Sequence, residues 1–133
     1  MHALTRRAMR GGRIKWIALL AVFLIHNPFA SASDYRPLNG RWQRTDGNYT
    51  IDIRSVAPDG GMQAAYYNPR PINVHRAHAS TVKGYIKAEI ELRDSGYPGS
   101  TYTLLYEPGK DVLMGIYYQA THGQKYEVIF IRK

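Results

Sequence analysis

Between residues 33 and 133 hydrophobic and polar positions alternate with a period of two, and turn-forming residues interrupt the alternation about every 12 residues. The pattern is cleanest at 85–93, where Ile86, Ala88, Ile90 and Leu92 take one face and Tyr85, Lys87, Glu89, Glu91 and Arg93 the other. Residues 49–53 repeat it, with Tyr49, Ile51 and Ile53 set against Thr50 and Asp52. Further strands are predicted at 40–44, 62–68, 72–79, 101–106, 112–119 and 126–132, a count of eight. Seven connections separate them, at 46–48, 58–61, 68–71, 83–84, 96–99, 108–111 and 122–123. Each is built from Gly, Pro, Asn or Asp, which tolerate positive φ or preset a turn. No window of helical length shows a sustained recurrence at three and four residues, so the fold class is all-β.

Connections this short leave no room for the crossover helices that parallel strands require. The expected architecture is therefore an antiparallel up-and-down meander. Eight twisted strands suffice to close it into a small barrel, which removes exposed sheet edges. Residues 112–131 depart from clean alternation: Leu113 with Met114, Tyr117 with Tyr118, and Val128 to Ile131 set apolar groups on both faces. Something is expected to cover the outer face there. The candidates are a second subunit, giving a homo-dimer through 112–131, a bilayer, or the arm 34–38 folding back.

Charge changes the picture only after it is divided by position. The chain of 133 residues carries 18 basic and 10 acidic side chains for a net +8, but +5 of this lies in residues 1–32, which hold no acid. That segment runs from a basic stretch ending at Lys15, through the apolar run 16–25, to Pro28 and the small residues Ala30 and Ala32. This order is that of a secretory signal peptide, with cleavage expected after Ala32 and a single mature domain of residues 33–133. Ten apolar residues reach only about 15 Å as a helix against a hydrocarbon core of roughly 30 Å, so no stable membrane insertion is expected once the segment is cleaved. Arg6 and Arg7 form a weak twin-arginine pattern, spoiled by Arg10. The expected location is periplasmic or secreted. The remaining +3 gives no strong claim on phosphate backbones, so nucleic acid is not an expected partner. With no cysteine, the domain has neither a lipid attachment point nor a disulfide, and packing and backbone pairing must hold it together.

Gly40-Arg41-Trp42 opening the first strand of a tight meander resembles the small exported barrels of the lipocalin and avidin type. The resemblance implies that Trp42 plugs one end of the barrel as a structural residue and does not contact ligand. The mature chain is far shorter than a lipocalin, and the biotin-contact pattern of avidins has no residue-by-residue counterpart. The stretches 67–72 and 96–102 are also similar to those of uncharacterised exported bacterial proteins, a likeness that implies no function.

Candidate chemistry is sparse. The sequence holds no Gly-x-Ser-x-Gly, phosphate-cradling loop or His-Glu-x-x-His pattern, and neither a catalytic constellation, a cofactor nor a metal is expected. His75 and His78 stand at an odd spacing that places them on opposite strand faces unless a bulge intervenes. Asp52, Glu89, Glu91, Glu107 and Glu127 read as ordinary surface carboxylates. Tyrosine is the informative residue, with all 11 lying beyond residue 32. A flat apolar body with a polar tip suits a ligand cavity or a protein interface, although aromatic residues also simply pack well in sheets. Tyr66, Tyr102, Tyr106 and Tyr118 are the candidate ligand-binding residues, with Tyr97 above them on a presumed mouth loop at 94–100. The expected function is a small exported β-barrel that binds a small apolar or aromatic ligand or an envelope protein and is not an enzyme. An inhibitor or interaction module for an envelope enzyme and a small outer-membrane β-barrel are the alternatives.

Overall fold

Period-two alternation is realised as one antiparallel sheet that curls into a nearly closed barrel. The computed structural model describes residues 33–133; the expected export signal and its cleavage point lie outside the described residues. A 3-10 turn at Arg36–Leu38 leads into β1 (Gly40–Arg44), β2 (Thr50–Val56), β3 (Met62–Asn68), β4 (Arg70–Ile72), β5 (Val74–Val82), β6 (Tyr85–Asp94), β7 (Tyr97–Glu107), β8 (Val112–Gln119) and β9 (Gln124–Arg132). The spatial order is β4-β3-β2-β1-β9-β8-β7-β6-β5, so the first strand pairs with the last as well as with the second.

The count is nine and not eight because the expected strand 72–79 breaks at Asn73 and changes partner there. Ile72 joins Arg70 and Pro71, which were expected in the turn 68–71, to form β4, paired with β3 through Tyr66↔Ile72, whereas β5 pairs with β6 from Val74↔Leu92 onward. Asn73 holds the switch: its backbone N–H donates to Asp94 Oδ2 at 2.8 Å, its side-chain amide to the Arg93 carbonyl at 3.1 Å, and its own carbonyl accepts from Arg93 N–H at 3.1 Å. Farther along, the barrel is drawn shut between the β2–β3 turn and β5, where Ala79 N–H donates to the Gly60 carbonyl at 2.7 Å and Gly61 bridges His78. Only glycine fits at residue 60. Its φ is +96°, and a Cβ there would sit 2.0 Å from the Ala79 carbonyl oxygen.

The expected loop 94–100 is a correction of another kind. Only Ser95 and Gly96 connect β6 to β7, and residues 97–100 are strand. Gly96 at φ +82° and the Asp94 Oδ1 acceptor for Ser95 N–H, at 2.7 Å, make the turn tight. A register shift after Leu92 absorbs Gly99, so Pro98 is accommodated in a strand without disturbing Ser100 or Tyr102.

Burial follows the predicted faces. Ala88, Ile90 and Leu92 of β6 are almost wholly inaccessible, as are Trp42, Ile51, Ile53, Tyr66, Tyr102, Leu104, Leu113 and Phe130 from the other strands. The core is one cluster along the barrel axis. It is uneven in size across the section: Ala79 and Ala88 face each other on β5 and β6, while β1, β3, β7 and β9 contribute Trp42, Tyr66, Tyr102 and Phe130. The arm 34–38 does not cover the outer face of 112–131. It folds over one end of the barrel, where Tyr35 and Leu38 join the core.

Candidate functional site

Trp42 and Arg44 are both inward residues of β1, two positions apart, and each organises one end of the barrel. At the Trp42 end the indole N–H donates to the Leu38 carbonyl at 2.8 Å, tying the first strand to the preceding turn. Arg132 of β9 lies across the indole with its guanidinium carbon 4.2 Å from the ring centroid. From there it donates to the carbonyls of Asn39 at 2.6 Å and Pro37 at 2.8 Å and, with two nitrogens, to the Asp111 carboxylate at 2.8 and 2.9 Å. Tyr106 meets Trp42 edge-on at 6.2 Å and donates its hydroxyl to Asp111 at 2.8 Å. The Arg132 hydrogen bonds, joined by that from Tyr106, hold the Asp111 carboxyl down to about 2.

At the other end Arg44 is buried, with Nη1 donating to the Tyr102 hydroxyl at 3.0 Å and two further nitrogens to Asp46 at 2.6 and 2.8 Å. Its guanidinium carbon lies 4.0 Å from the Tyr49 ring centroid and 5.7 Å from that of Tyr117. The Tyr102 and Tyr66 hydroxyls share a hydrogen bond of 2.9 Å, and the Tyr97 hydroxyl accepts from the Asn68 amide. Rings of Tyr97, Tyr66, Tyr102 and Tyr117 follow one another at centroid separations of 6.2, 5.5 and 4.5 Å. Burial drives the Tyr66 phenol far above its ordinary range. It also raises Tyr102, though hydrogen bonds from Tyr66 and Arg44 hold that phenol to about 12. No buried side-chain polar atom among the described residues is left without a partner.

The five candidate tyrosines therefore do not form one wall. Tyr66, Tyr97 and Tyr102 come together at the Arg44 end. Tyr106 belongs to the Trp42 end, and Tyr97 and Tyr106 start and nearly finish the same strand, so neither sits above the other. Tyr118 takes an outward position on β8, because its neighbour Tyr117 is the residue packed inward against Tyr102. Tyr49, Tyr117 and Arg44 were missed as parts of the interior network. Stepping by two from Leu113 along β8 reaches Tyr117, but Met114, Ile116 and Tyr118 are just as apolar, so parity alone could not choose.

One concavity lies outside the barrel. It is a cavity of about 500 Å³ over the outer face of β5, β6 and β7, lined by Arg76, His78, Glu89, Glu91, Thr101 and Thr103. The ladders place these side chains in two cross-strand rows, Arg76–Glu91–Thr101 and His78–Glu89–Thr103. A bulge between Val74 and Arg76 puts the extra residue His75 into β5, which disturbs the strict alternation between His75 and His78. No group of three or more His, Asp or Glu side chains able to hold a metal occurs among the described residues. A second cavity of about 480 Å³ follows the break in the sheet, beside Ala64, Ala65, Ile72, Asn73, Val74 and Asp94.

Comparison with family models, curated proteins and solved structures finds no match to this chain. Barrel architecture is thus established by the coordinates alone, and its chemistry must be read from its own surfaces.

Next to this groove, part of the outer face of β7, β8 and β9 forms an apolar patch. Leu105, Met114 and Ile129 form one cross-strand row, flanked by Ile116 and Ile131, and each is 37 to 46% exposed. Among the described residues nothing covers them. The doubly apolar character read in 112–131 is thus one buried set, Leu113, Tyr117, Val128 and Phe130, and one exposed set.

Proposed function

We propose that the protein is an exported, non-enzymatic binding barrel that recognises its ligand on the outer wall of the sheet. The observation that carries this reading is the contrast between a filled, fully hydrogen-bonded interior and the 500 Å³ polar groove outside it. An interior ligand would have to displace Tyr66, Tyr102 and Phe130, each no more than 1% exposed, and break the Arg44–Tyr102–Tyr66 chain. A likeness to the lipocalin and avidin type is supported at the Trp42 end, where the indole is buried under Arg132 and the preceding turn. That likeness extends to how the barrel is closed, and the caged-ligand function associated with such barrels is not part of this proposal.

The outer-membrane alternative is disfavoured by the same wall. Lys87, Glu89, Glu91 and Arg76 occupy outward positions on β5 and β6 where a spanning barrel would meet lipid. The interaction-module alternative draws support from the Leu105–Met114–Ile129 row, an apolar surface suited to an envelope protein or a second copy. Chemical-shift mapping of the purified protein against fractionated envelope extract separates these readings. Shifts confined to outward residues of β5–β7 support the groove, shifts on outward residues of β7–β9 support protein docking, and shifts centred on Tyr66 and Tyr102 would overturn the outer-wall reading.

A further inference from the structure

The groove on β5–β7 has a chemistry narrow enough to name a ligand class, an inference that rests on the outer-wall reading above. Both carboxylates are already neutralised. Glu91 faces Arg93 at 2.7 Å and Arg76 at 3.7 Å, and Glu89 faces Lys87 at 3.1 Å. The hydrogen bond from Arg93 holds the Glu91 carboxyl below its ordinary range, so it presents acceptor oxygens only. A cation finds its counter-charges taken, and an anion meets two glutamates before it reaches Arg76. An apolar ligand would strip water from charged groups at both rows of the site and recover too little.

What the groove offers instead is an ordered grid of donors and acceptors. Each row runs from a nitrogen-bearing side chain, through a carboxylate, to a hydroxyl: Arg76, Glu91, Thr101, then His78, Glu89, Thr103. Rows are two residues apart along the strands, about 7 Å, and neighbouring strands are about 5 Å apart. Among the described residues the Thr101 and Thr103 hydroxyls and the His78 ring make no side-chain hydrogen bond, and so stand free to make one. Tyr118 stands directly beside Thr101 in the ladder, outside the groove's lining, and sets an aromatic residue at its border. A ligand that matches this grid carries many hydroxyls at short intervals, bears no net charge and has apolar ring faces that stack on tyrosine. A peptide fits less well, because the groove lies over the faces of three mutually paired strands, and the outer edge of β5 is tied to the β2–β3 turn at His78 and Ala79, beside the groove.

We propose that this groove binds a neutral oligosaccharide, with Glu89 and Glu91 accepting from sugar hydroxyls, Thr101 and Thr103 contributing hydroxyls of their own, and Tyr118 stacking on a ring face. The test titrates the purified protein with maltotetraose, cellotetraose and chitotetraose, read by calorimetry and by amide chemical shifts. At least one should bind with half-saturation at or below about 1 mM, a level accessible to both methods. Its shifts should cluster on residues 76–78, 89–91 and 101–103. Glu91→Gln and Thr103→Val, surface changes that leave the core intact, should each weaken binding about tenfold, and Tyr118→Ala should do the same. Tyr97→Phe, on the interior network, should leave it unchanged. A folded protein that binds none of the three sugars at 10 mM overturns the saccharide inference, and so does tight binding of a charged or peptidic extract component in the same groove. The outer-wall reading survives both of those results; it falls if the shifts produced by the extract centre on Tyr66 and Tyr102 and leave the outward residues of β5–β9 unperturbed.

Discussion

Both ends of the barrel place an arginine against an aromatic ring, with the burial reversed. At one end the ring is inside and the cation outside: Trp42 is 0% exposed, and Arg132 lies over it while gripping two backbone carbonyls and Asp111. At the other end the cation is inside, with Arg44 only 8% exposed and hydrogen-bonded to a tyrosine on the far wall. The first arrangement is a clamp on the chain, because two of its four hydrogen bonds hold backbone carbonyls of the segment before β1. The second is a brace across the lumen, because its contacts are mostly to side chains. Beside Arg132 the φ of +131° demands a glycine at residue 40, and beside Arg44 the Tyr49 ring leaves no room for a Cβ at Gly47.

That distinction can be broken by substitution, and the effects should fall in a definite order. Trp42→Ala removes the largest buried side chain together with the platform under Arg132, and should cost about 3–5 kcal/mol in denaturant unfolding. A smaller loss would mean that the turn at Arg36–Leu38 collapses into the space. Arg44→Met should cost about 2–3 kcal/mol: it removes the donor to the Tyr102 hydroxyl, while Asp46, 54% exposed, remains solvated. Tyr66→Phe, which takes away one hydroxyl of the same brace, should cost about 1 kcal/mol. Equal losses from those two variants would show that the brace is not a chain through Arg44. Arg132→Met should also cost about 1–2 kcal/mol, with a signature absent from Arg44→Met. The Asp111 carboxyl sits near 2 in the folded protein against an ordinary value of 3.8, so its contribution is complete above about pH 4 and disappears as pH falls through about 2. Wild type should therefore lose stability over that interval more steeply than Arg132→Met, as read by acid titration of the unfolding midpoint.

A further effect lies on the alkaline side. Tyr102 titrates at about 12 when folded and near 10 when unfolded, so stability is full below pH 10 and declines between 10 and 12. Absorbance of tyrosinate should rise in two stages, with the buried pair Tyr66 and Tyr102 last and only with loss of the near-ultraviolet dichroism. A single transition at 10 would contradict the brace.

The strand faces were legible because each strand's alternation is a local property. Ile86, Ala88, Ile90 and Leu92 could be read without knowing any partner. What escaped were features made by two distant segments at once. Asn73 looks like an ordinary strand residue until Asp94 and Arg93 supply the partners that break the strand there. The run 94–100 holds two glycines and a proline, a composition that suits a loop; only the pairing of Leu92 with Ser100 reveals it as a bulged strand. The groove was invisible for the same reason, since His78, Glu89 and Thr103 become neighbours only through register. Tyr66 and Tyr102 were singled out for their chemistry, but that their hydroxyls would hydrogen-bond each other depends on register and barrel closure.

The pairing of β1 with β9 also fixes an order of events in time. Arg132 reaches back 93 and 95 residues to the carbonyls it grips, and β1 has no second neighbour until β9 is in place. Such long-range closure is slow to find and gains nothing from partial completion. Whenever this chain is delivered N-terminus first, by synthesis or through a narrow pore, β1 and β2 must wait as an incomplete sheet with an open edge while the rest emerges. Hairpins such as β6–β7 can form early, but the barrel locks only when its last strand arrives. Until then the Gly40–Arg44 edge is the surface most in need of protection from pairing with another chain.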